Sequence, residues 1–450
     1  MASGTATSKL ELAPAPVRPR EYCSWGRYPR VSHEAAFQPE WTDQLGAVLK
    51  STPSSSLLAY GLGRSYGDCC LNEGRGLVDC ARLNRILEAD FQQGRIRCEA
   101  GASLAEILQV AVPRGWFLPV TPGTKFVTVG GAIANDVHGK NHHRAGTFGC
   151  HVRQFAIYRS DCGLVICSPE KNQDLFRATI GGLGLTGLIA WVEIQLRPIA
   201  GGYMDVETHP FQSTEQFLEL TAQSDSAFEY TVAWIDCVCR RVGRGIFFRG
   251  NHSPQPGIGA SSGMNVSVPF ALPGWMLNRS TIKGFNMAYY FRNKSSRRKA
   301  TVPYDPFFYP LDSVGHWNLM YGKRGFLQYQ CVLPTQAMPK LLRLISESGM
   351  GSFLAVLKQF GSKRSPGMLS FPRPGLTLAL DFAMKGERTL ALLKALDQVV
   401  LEAGGALYPA KDARMSPEMF EQSFPQWREF RQFVDQKLSS SLWRRVTGSR

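Results

Sequence analysis

The chain of 450 residues is notable first for what it does without. No run is apolar and long enough to cross a bilayer, which takes about 20 residues. The longest uncharged apolar run, residues 178–192, is shorter and is broken by Gly181, Gly182, Gly184 and Gly187. The N-terminus lacks the apolar h-region of a signal peptide. Rich in Ala, Pro, Ser and Thr, residues 1–21 are expected to be disordered. None of the eleven cysteines stands in a CxxC pair, and Cys237-x-Cys239 has no second pair at zinc spacing. That argues against a disulfide framework and against a metal site, and for buried thiols in a reducing compartment. Acidic residues are absent altogether from Arg240 to Tyr304.

That acid-free span holds eleven of the basic residues behind a net charge of +15: Arg240, Arg241, Arg244, Arg249, Arg279, Lys283, Arg292, Lys294, Arg297, Arg298 and Lys299. Phe247, Phe248, Phe270, Trp275, Met276, Leu277, Tyr289, Tyr290 and Phe291 are mixed among them. Such a stretch reads as an irregular surface that meets phosphate, whether of nucleic acid or of anionic lipid. The whole chain, 44% hydrophobic and 19% charged, has a globular composition with room for two domains.

Local patterns give an α+β chain. Short apolar runs separated by turns fill 57–110, and a helix is predicted over 104–112 with Ser103 as N-cap and Glu106 in the capping-box position. A hairpin over 152–168 turns at Ser160–Gly163, a short helix covers 174–179, and a strand runs over 188–196 until Pro198. Strand-like stretches at 228–238, 325–333 and 376–384 alternate with helices at 336–347 and 388–402, as in a sheet covered on one face. This divides the chain into a first domain at 22–200, a second at 201–405 interrupted by the basic insertion at about 240–304, and a C-terminal segment at 406–450.

Residues 121–149, TPGTKFVTVGGAIANDVHGKNHHRAGTFG, are dense in glycine and show almost no helical periodicity. Glycines at this density let a backbone approach a bulky ligand closely. Asn135, Asp136, His138, Lys140, Asn141, His142 and His143 give that backbone polar tips. Two further Gly loops flank it, 61–68 (GLGRSYGD) and 182–187 (GLGLTG). The latter matches GxGxxG, with Asp205 and Glu207 at the dinucleotide-binding distance. A Rossmann site needs a helix next, however, and the residues that follow, LIAWVEIQLRP, are strand-forming. The first loop's consecutive N–H groups suit a pyrophosphate without a helix.

The ordered set Gly61–Asp68, Thr121–Gly123, Gly130–Ala134 and Gly182–Gly187 resembles the FAD domain of the vanillyl-alcohol-oxidase type. Within that superfamily, VGGAIANDVHGKNHHRAGTFG, GFLQYQ and YPAKDARM resemble the decaprenylphosphoryl-β-D-ribose 2-oxidase family, in the same order from about residue 22 to the C-terminus. The resemblance implies a two-domain PCMH-type FAD-binding fold with a sheet-based substrate domain, completed by a returning C-terminal segment. It implies FAD-dependent oxidation of the C2 hydroxyl of a polyprenylphosphoryl-β-D-ribose to the 2-keto sugar. That is the first half of a 2-epimerisation toward the arabinose donor, with a short-chain reductase partner completing it. FAD is expected to bind non-covalently, because the first loop has no His to tether it.

Implied cofactor contacts are Gly61, Leu62, Gly63, Arg64, Ser65, Tyr66, Gly67 and Asp68 in the first loop. The second contributes Thr121, Pro122, Gly123, Thr128, Val129, Gly130, Gly131, Ala132, Asn135, Asp136, His138 and Gly139, joined by Gly187, Ile189 and Tyr408. Lys411 is the implied catalytic cation beside the flavin N1/C2 carbonyl, where a fixed charge stabilises the product side. His138, with an ordinary pKa of about 6.5, is expected to hydrogen-bond the sugar or accept its proton. Gln328 and Gln330 share a strand face and suit sugar hydroxyls; Lys358 suits the lipid phosphate. Lys140, Thr231, Phe360 and Thr377 complete the implied substrate residues. The chain departs from the family's best-studied members at Ala379, where they have a Cys that reacts with covalent inhibitors, and at Thr377, where they have Asn. Sensitivity to such inhibitors is expected to fall.

A polyprenyl phosphate stays in the membrane, so the basic span is expected to meet an anionic membrane surface. This makes the protein cytoplasmic and membrane-peripheral, with the periplasmic side left open. No recognition motif supports nucleic acid as a partner. The alternative is an FAD-dependent oxidase or dehydrogenase of a soluble sugar, alditol or aldonolactone, which the general flavin motifs also allow.

Overall fold

The computed structural model describes residues 16, 21–51, 56–239, 243–259, 266–273, 277–294 and 299–449. The expected disorder of the N-terminus falls almost wholly outside the described residues, as do Arg240, Arg241, Trp275, Met276, Arg297 and Arg298 of the basic span.

The first part of the chain builds two sheets. Strands β1 (Ala35–Phe37), β2 (Leu57–Tyr60) and β3 (Gly76–Asp79) pair in parallel in the order β1-β3-β2. Strands β4 (Ile86–Asp90), β5 (Arg95–Glu99), β6 (Val152–Arg159), β7 (Gly163–Cys167) and β8 (Leu188–Gln195) form an antiparallel sheet in the order β4-β5-β8-β6-β7. The predicted capping box is formed. Ser103 Oγ accepts from Glu106 N at 3.2 Å, the Glu106 carboxylate accepts from Ser103 N at 2.7 Å, and the helix Leu104–Ala111 follows. That helix buries Leu104, Ile107, Leu108 and Ala111 in one core with Ile96, Cys98, Phe155 and Val192 of the antiparallel sheet.

The rest builds one antiparallel sheet from β9 (Tyr203–Phe211), β10 (Tyr230–Ile235), β11 (Gly245–His252), β12 (Lys299–Pro303), β13 (Phe326–Leu333), β14 (Ala355–Phe360), β15 (Gly375–Ala383) and β16 (Ala406–Leu407). Their order is β12-β9-β11-β10-β14-β15-β13-β16. Alternation decides what each face does. Leu327, Tyr329 and Cys331 of β13, with Leu376, Leu378, Leu380 and Phe382 of β15, share a core with the helices Met338–Ser348 and Glu387–Glu402. The intervening Gln328 and Gln330, and Thr377, Ala379 and Asp381, therefore point the other way.

The basic span is not the irregular surface expected. It supplies β11, an interior strand, and a 16-residue helix, Arg279–Lys294. Its missing acids come from outside it: Asp236 pairs with Arg244 at 2.7 Å, and Glu207 pairs with Arg249 at 2.6 Å and Lys299 at 2.8 Å. Long-range pairing thus turns part of this charge into structure.

The C-terminal segment touches both regions. β16 pairs with β13, while Leu438 forms a parallel bridge to Leu57 of β2. Arg445, in the helix Ser441–Thr447, grips Asp68 at 2.7 and 3.0 Å and Asp412 at 3.0 Å. Gly67 is required beside this clamp, because a Cβ there would lie 1.6 Å from the Asp412 carbonyl oxygen. Replacing Arg445 with Met leaves two buried carboxylates without their cation, and breaking such a pair costs about 3 kcal/mol. Arg445→Met is expected to lower the thermal midpoint by roughly 3 °C, with Arg445→Lys recovering only part because it lacks the planar fork. A midpoint equal to that of the unaltered protein would show that the clamp contributes nothing.

Candidate active site

A cavity of about 320 Å³ lies between the glycine loops and the face of the large sheet turned away from its helices. Gly61, Leu62, Gly63, Arg64, Ser65 and Tyr66 line one side. Pro122, Gly123, Thr128, Gly130, Gly131, Asn135, His138, Gly187 and Ile189 continue it. Gln328, Gln330, Lys358, Ala379 and Asp381 form the sheet wall, and Tyr408 and Lys411 close it.

The glycine positions have specific causes. A Cβ on Gly61 would stand 2.6 Å from Thr128 Oγ1, and Gly63, at φ +62°, would meet the Tyr60 hydroxyl at 2.1 Å. The middle segment is less loop-like than its sequence suggests, because Val129–Ala134 and His142–Ala145 are short helices. Thr128 caps the first, accepting from Gly131 N at 3.1 Å. Tyr408 donates its hydroxyl to the Asn135 carbonyl at 2.9 Å, tying the C-terminal segment to this loop.

The charged groups define the chemistry. Lys411 Nζ sits 3.7 Å from the centroid of the Tyr66 ring. Burial pushes its pKa down to about 7, opposed by the nearby Asp381 and assisted by Lys358. Asp381 is 1% exposed; Gln328 Nε2 donates to it at 2.6 Å and the Tyr321 hydroxyl at 3.5 Å. Burial pushes Asp381 up to about 7, against Gln328 and Lys411. Lys358 donates to the Gly139 carbonyl at 3.3 Å, and burial lowers it to about 8.

His138 departs from the expected ordinary pKa. Burial, then the charges of Lys358, His142 and Lys411, push it well below its usual range, so the imidazole is neutral. Gln330 Nε2 donates to His138 Nε2 at 2.9 Å and to Thr377 Oγ1 at 3.2 Å. Among the described residues, His138 Nδ1 is buried with no protein partner, as is Arg64 Nε, whose guanidinium lies 4.0 Å from the Trp25 ring centroid.

Several implied contacts do not line the cavity. Gly67 and Asp68 belong to the Arg445 clamp. Thr121 Oγ1 bonds the Tyr309 hydroxyl at 2.7 Å, and Val129 and Ala132 pack in the core. Asp136 accepts from Ser365 and Ser370, each at 2.5 Å, and from Gly149 N at 2.9 Å, so it fastens the loop. Gly139 is packed against the Thr121 carbonyl. Lys140 reaches the Phe307 carbonyl, and its own carbonyl accepts from Thr231 N at 2.9 Å. Phe360 packs on His138 and His142, with ring centroids 4.9 and 4.6 Å away, and Thr377 lies behind Gln330. Asp381 was missed, although strand alternation already puts it on the face of Thr377 and Ala379. Trp25, Asp312 and Trp317 also line the cavity, and they lie in segments with no readable pattern.

Residues 33–168 match the family described as an FAD binding domain. Over 399 residues the chain is 36% identical to the decaprenylphosphoryl-beta-D-ribose oxidase of Mycolicibacterium smegmatis, covering 84% of this chain and 86% of that protein. A Streptomyces coelicolor protein, described as an uncharacterized protein in the mprA 5′ region, is 30% identical over 369 residues, 76% of this chain and 99% of its own length. Mouse L-gulonolactone oxidase is 26% identical over 182 residues, 40% of each chain. The cofactor is FAD, and the residues fit it. Gly61, Gly63, Gly123, Gly130 and Gly131 line the cavity without side chains, a Cβ at Gly123 would meet no protein atom within 4 Å, and among the described residues the buried Arg64 Nε and His138 Nδ1 have no protein partner.

Lys358 provides a test of the buried charge. Its pKa is lowered from 10.5 to about 8 on folding. Below pH 8 the folded protein holds this proton at a cost absent from the unfolded chain, and the cost fades as pH rises from about 8 to 10.5. Lys358→Met is therefore expected to raise the thermal midpoint of the FAD-free protein most below pH 8, with the gain fading above it. A gain of equal size at every pH would point to packing alone.

Proposed function

The chain belongs to the decaprenylphosphoryl-β-D-ribose oxidase family, and from that premise we propose that it oxidises the C2 hydroxyl of a polyprenylphosphoryl-β-D-ribose to the 2-keto sugar, using non-covalently bound FAD. The observation that carries this reading is one cavity joining the glycine loops to a sheet face that bears two amides, a lysine and a carboxyl, with Lys411 of the C-terminal segment opening into the same space. FAD, when bound, supplies the acceptor for the hydride that leaves C2. The first loop, Thr128–Gly131 and Tyr408 would hold it. No histidine stands at 61–68, which supports non-covalent binding.

The sheet face divides the remaining tasks. Gln328 and Gln330 present amides to sugar hydroxyls, and Lys358 offers a cation to the lipid phosphate. Lys411 places its positive charge where negative charge develops, in a low-dielectric site where such a charge acts strongly. Asp381 is its counter-charge and keeps the ammonium protonated near neutral pH. His138 is a hydrogen-bond donor through Nδ1–H rather than the base, because its Nε2 lone pair already accepts from Gln330. The departing hydroxyl proton passes to the Asp381 carboxylate, which lines the cavity and which burial pushes up to about 7. Ala379 removes the thiol from this wall, so covalent inhibitors that need one lose their target.

The lipid-linked substrate places the enzyme at an anionic membrane surface on the cytoplasmic side, with a short-chain reductase consuming the 2-keto product. Among the described residues no helix is long and apolar enough to cross a membrane.

Incubation with synthetic prenylphosphoryl ribose and an electron acceptor, followed by borodeuteride trapping, is expected to give ribose and arabinose labelled at C2. Absence of label, with peroxide formed instead from free alditols or aldonolactones, would establish the soluble-sugar alternative. Lys411→Ala is expected to retain FAD while kcat falls by about 100-fold or more; wild-type kcat would remove Lys411 from the mechanism. Acid precipitation is expected to release all yellow colour into the supernatant, whereas a coloured pellet would show a covalent bond.

A further inference from the structure

The helix Arg279–Lys294 has a role that neither the cavity nor the core explains. Its inner face is fixed: Ile282, Asn286 and Tyr290 are buried, and Asn286 Nδ2 donates to Asp236 Oδ1 at 2.9 Å and to the Ser352 carbonyl at 3.3 Å. Arg244 lies 4.7 Å from the Tyr290 ring centroid and braces the same face. The outer face is therefore held in a set orientation. There Phe285, Met287 and Phe291 are 50%, 46% and 55% exposed, which is unusual for three large apolar side chains on one helix. Lys283, Arg292 and Lys294 are exposed around them, and the helix has no acidic residue. At 100° per residue, Met287 and Phe291 lie together on the side that follows Tyr290, with Lys283 and Lys294 beside Met287, while Phe285 and Arg292 lie on the opposite flank.

The helix is also joined to the cavity. Phe285 meets Phe353 edge-on at 5.7 Å, and Phe353 stacks on Tyr321 at 5.8 Å. The next residue, Leu354, lines the cavity, as does Trp317, and both belong to the apolar cluster containing Phe353 and Tyr321. A chain of apolar side-chain contacts thus leads from Phe285, on one flank of the helix, to the cavity wall.

We propose that the outer face of Arg279–Lys294 is the membrane-docking element, seating Met287 and Phe291 in an anionic bilayer and delivering the substrate's prenyl chain along Phe285, Phe353 and Leu354 to the cavity. A cationic helix with bulky apolar residues suits the headgroup boundary, where lysines meet lipid phosphates and the apolar side chains enter the acyl region. An acidic protein partner would explain the lysines but not three exposed hydrophobes, one of which packs on Phe353 next to the cavity wall. The proposal rests on the lipid-linked substrate reading for the delivery step, while docking stands by itself.

The test is co-sedimentation of the FAD-loaded full chain with phosphatidylcholine vesicles containing phosphatidylglycerol, at low and high salt. The intact protein is expected to bind anionic vesicles and to dissociate as salt rises. Met287→Asp with Phe291→Asp, and separately Lys283→Glu with Lys294→Glu, should each weaken binding about tenfold or more. Both double variants should keep bound FAD and wild-type turnover of a short-chain, water-soluble prenylphosphoryl ribose, but lose turnover of a long-chain substrate in vesicles. Failure of the intact protein to bind, equal binding by the variants, or equal binding to vesicles without phosphatidylglycerol would overturn the proposal. Vesicle binding that the variants abolish, in a protein inert toward every prenylphosphoryl ribose, would uphold docking and overturn the substrate reading.

Discussion

Holding lysine ammonium groups inside a cavity is the constraint around which the rest of this structure is arranged. Lys411 and Lys358 open into the same space, and burial disfavours the charge of both. A protein keeps such charges only where something negative offsets them. Asp381 supplies part of that, itself steadied by Gln328 and Tyr321. The remaining positive potential faces the glycine loops and the space where an anionic cofactor and a phosphorylated sugar would sit. The nearby imidazole of His138 stays neutral for the same reason, since a third cation would add repulsion to the cost of burial.

The folding pattern that makes this possible is simple alternation on three neighbouring strands. β13 and β15 turn Leu and Tyr toward the helices and Gln, Thr, Ala and Asp toward the cavity, and β14 adds Lys358. The C-terminal segment then places Lys411 opposite this wall. It is fixed by β16 at one end and by the Arg445 clamp at the other. Lys411 therefore depends for its position on contacts far along the chain.

Much of this was legible in the sequence where the signal is local. The capping box at Ser103 and Glu106, the turn before Gly163 and the alternation over Phe326–Leu333 each follow from nearby residues, and each is present. The glycine loops announced a cradle because glycine at this density lets the backbone approach a ligand, and Gly61, Gly63, Gly130 and Gly131 do line the cavity. What was not legible depends on partners distant in sequence. Arg244 and Arg249 read as part of a surface that meets phosphate until Asp236 and Glu207 were brought beside them by strand pairing. Asp136 looked like a ligand group until Ser365 and Ser370 closed on it. The short helix Val129–Ala134 was hidden by its glycines, which pattern reading assigns to loops.

The central claim is that the paired charges on the sheet face act on a hydride leaving C2 of a lipid-linked ribose. Rapid anaerobic mixing of the FAD-loaded enzyme with prenylphosphoryl ribose, followed through the flavin absorbance band, tests it most directly. The account predicts complete bleaching that slows several-fold when deuterium replaces hydrogen at C2, and no bleaching with the 2-deoxy analogue, which has no C2 hydroxyl to oxidise. An absorbance that stays unchanged on mixing, or bleaching at the same rate with the C2-deuterated sugar in single-turnover conditions, would contradict it.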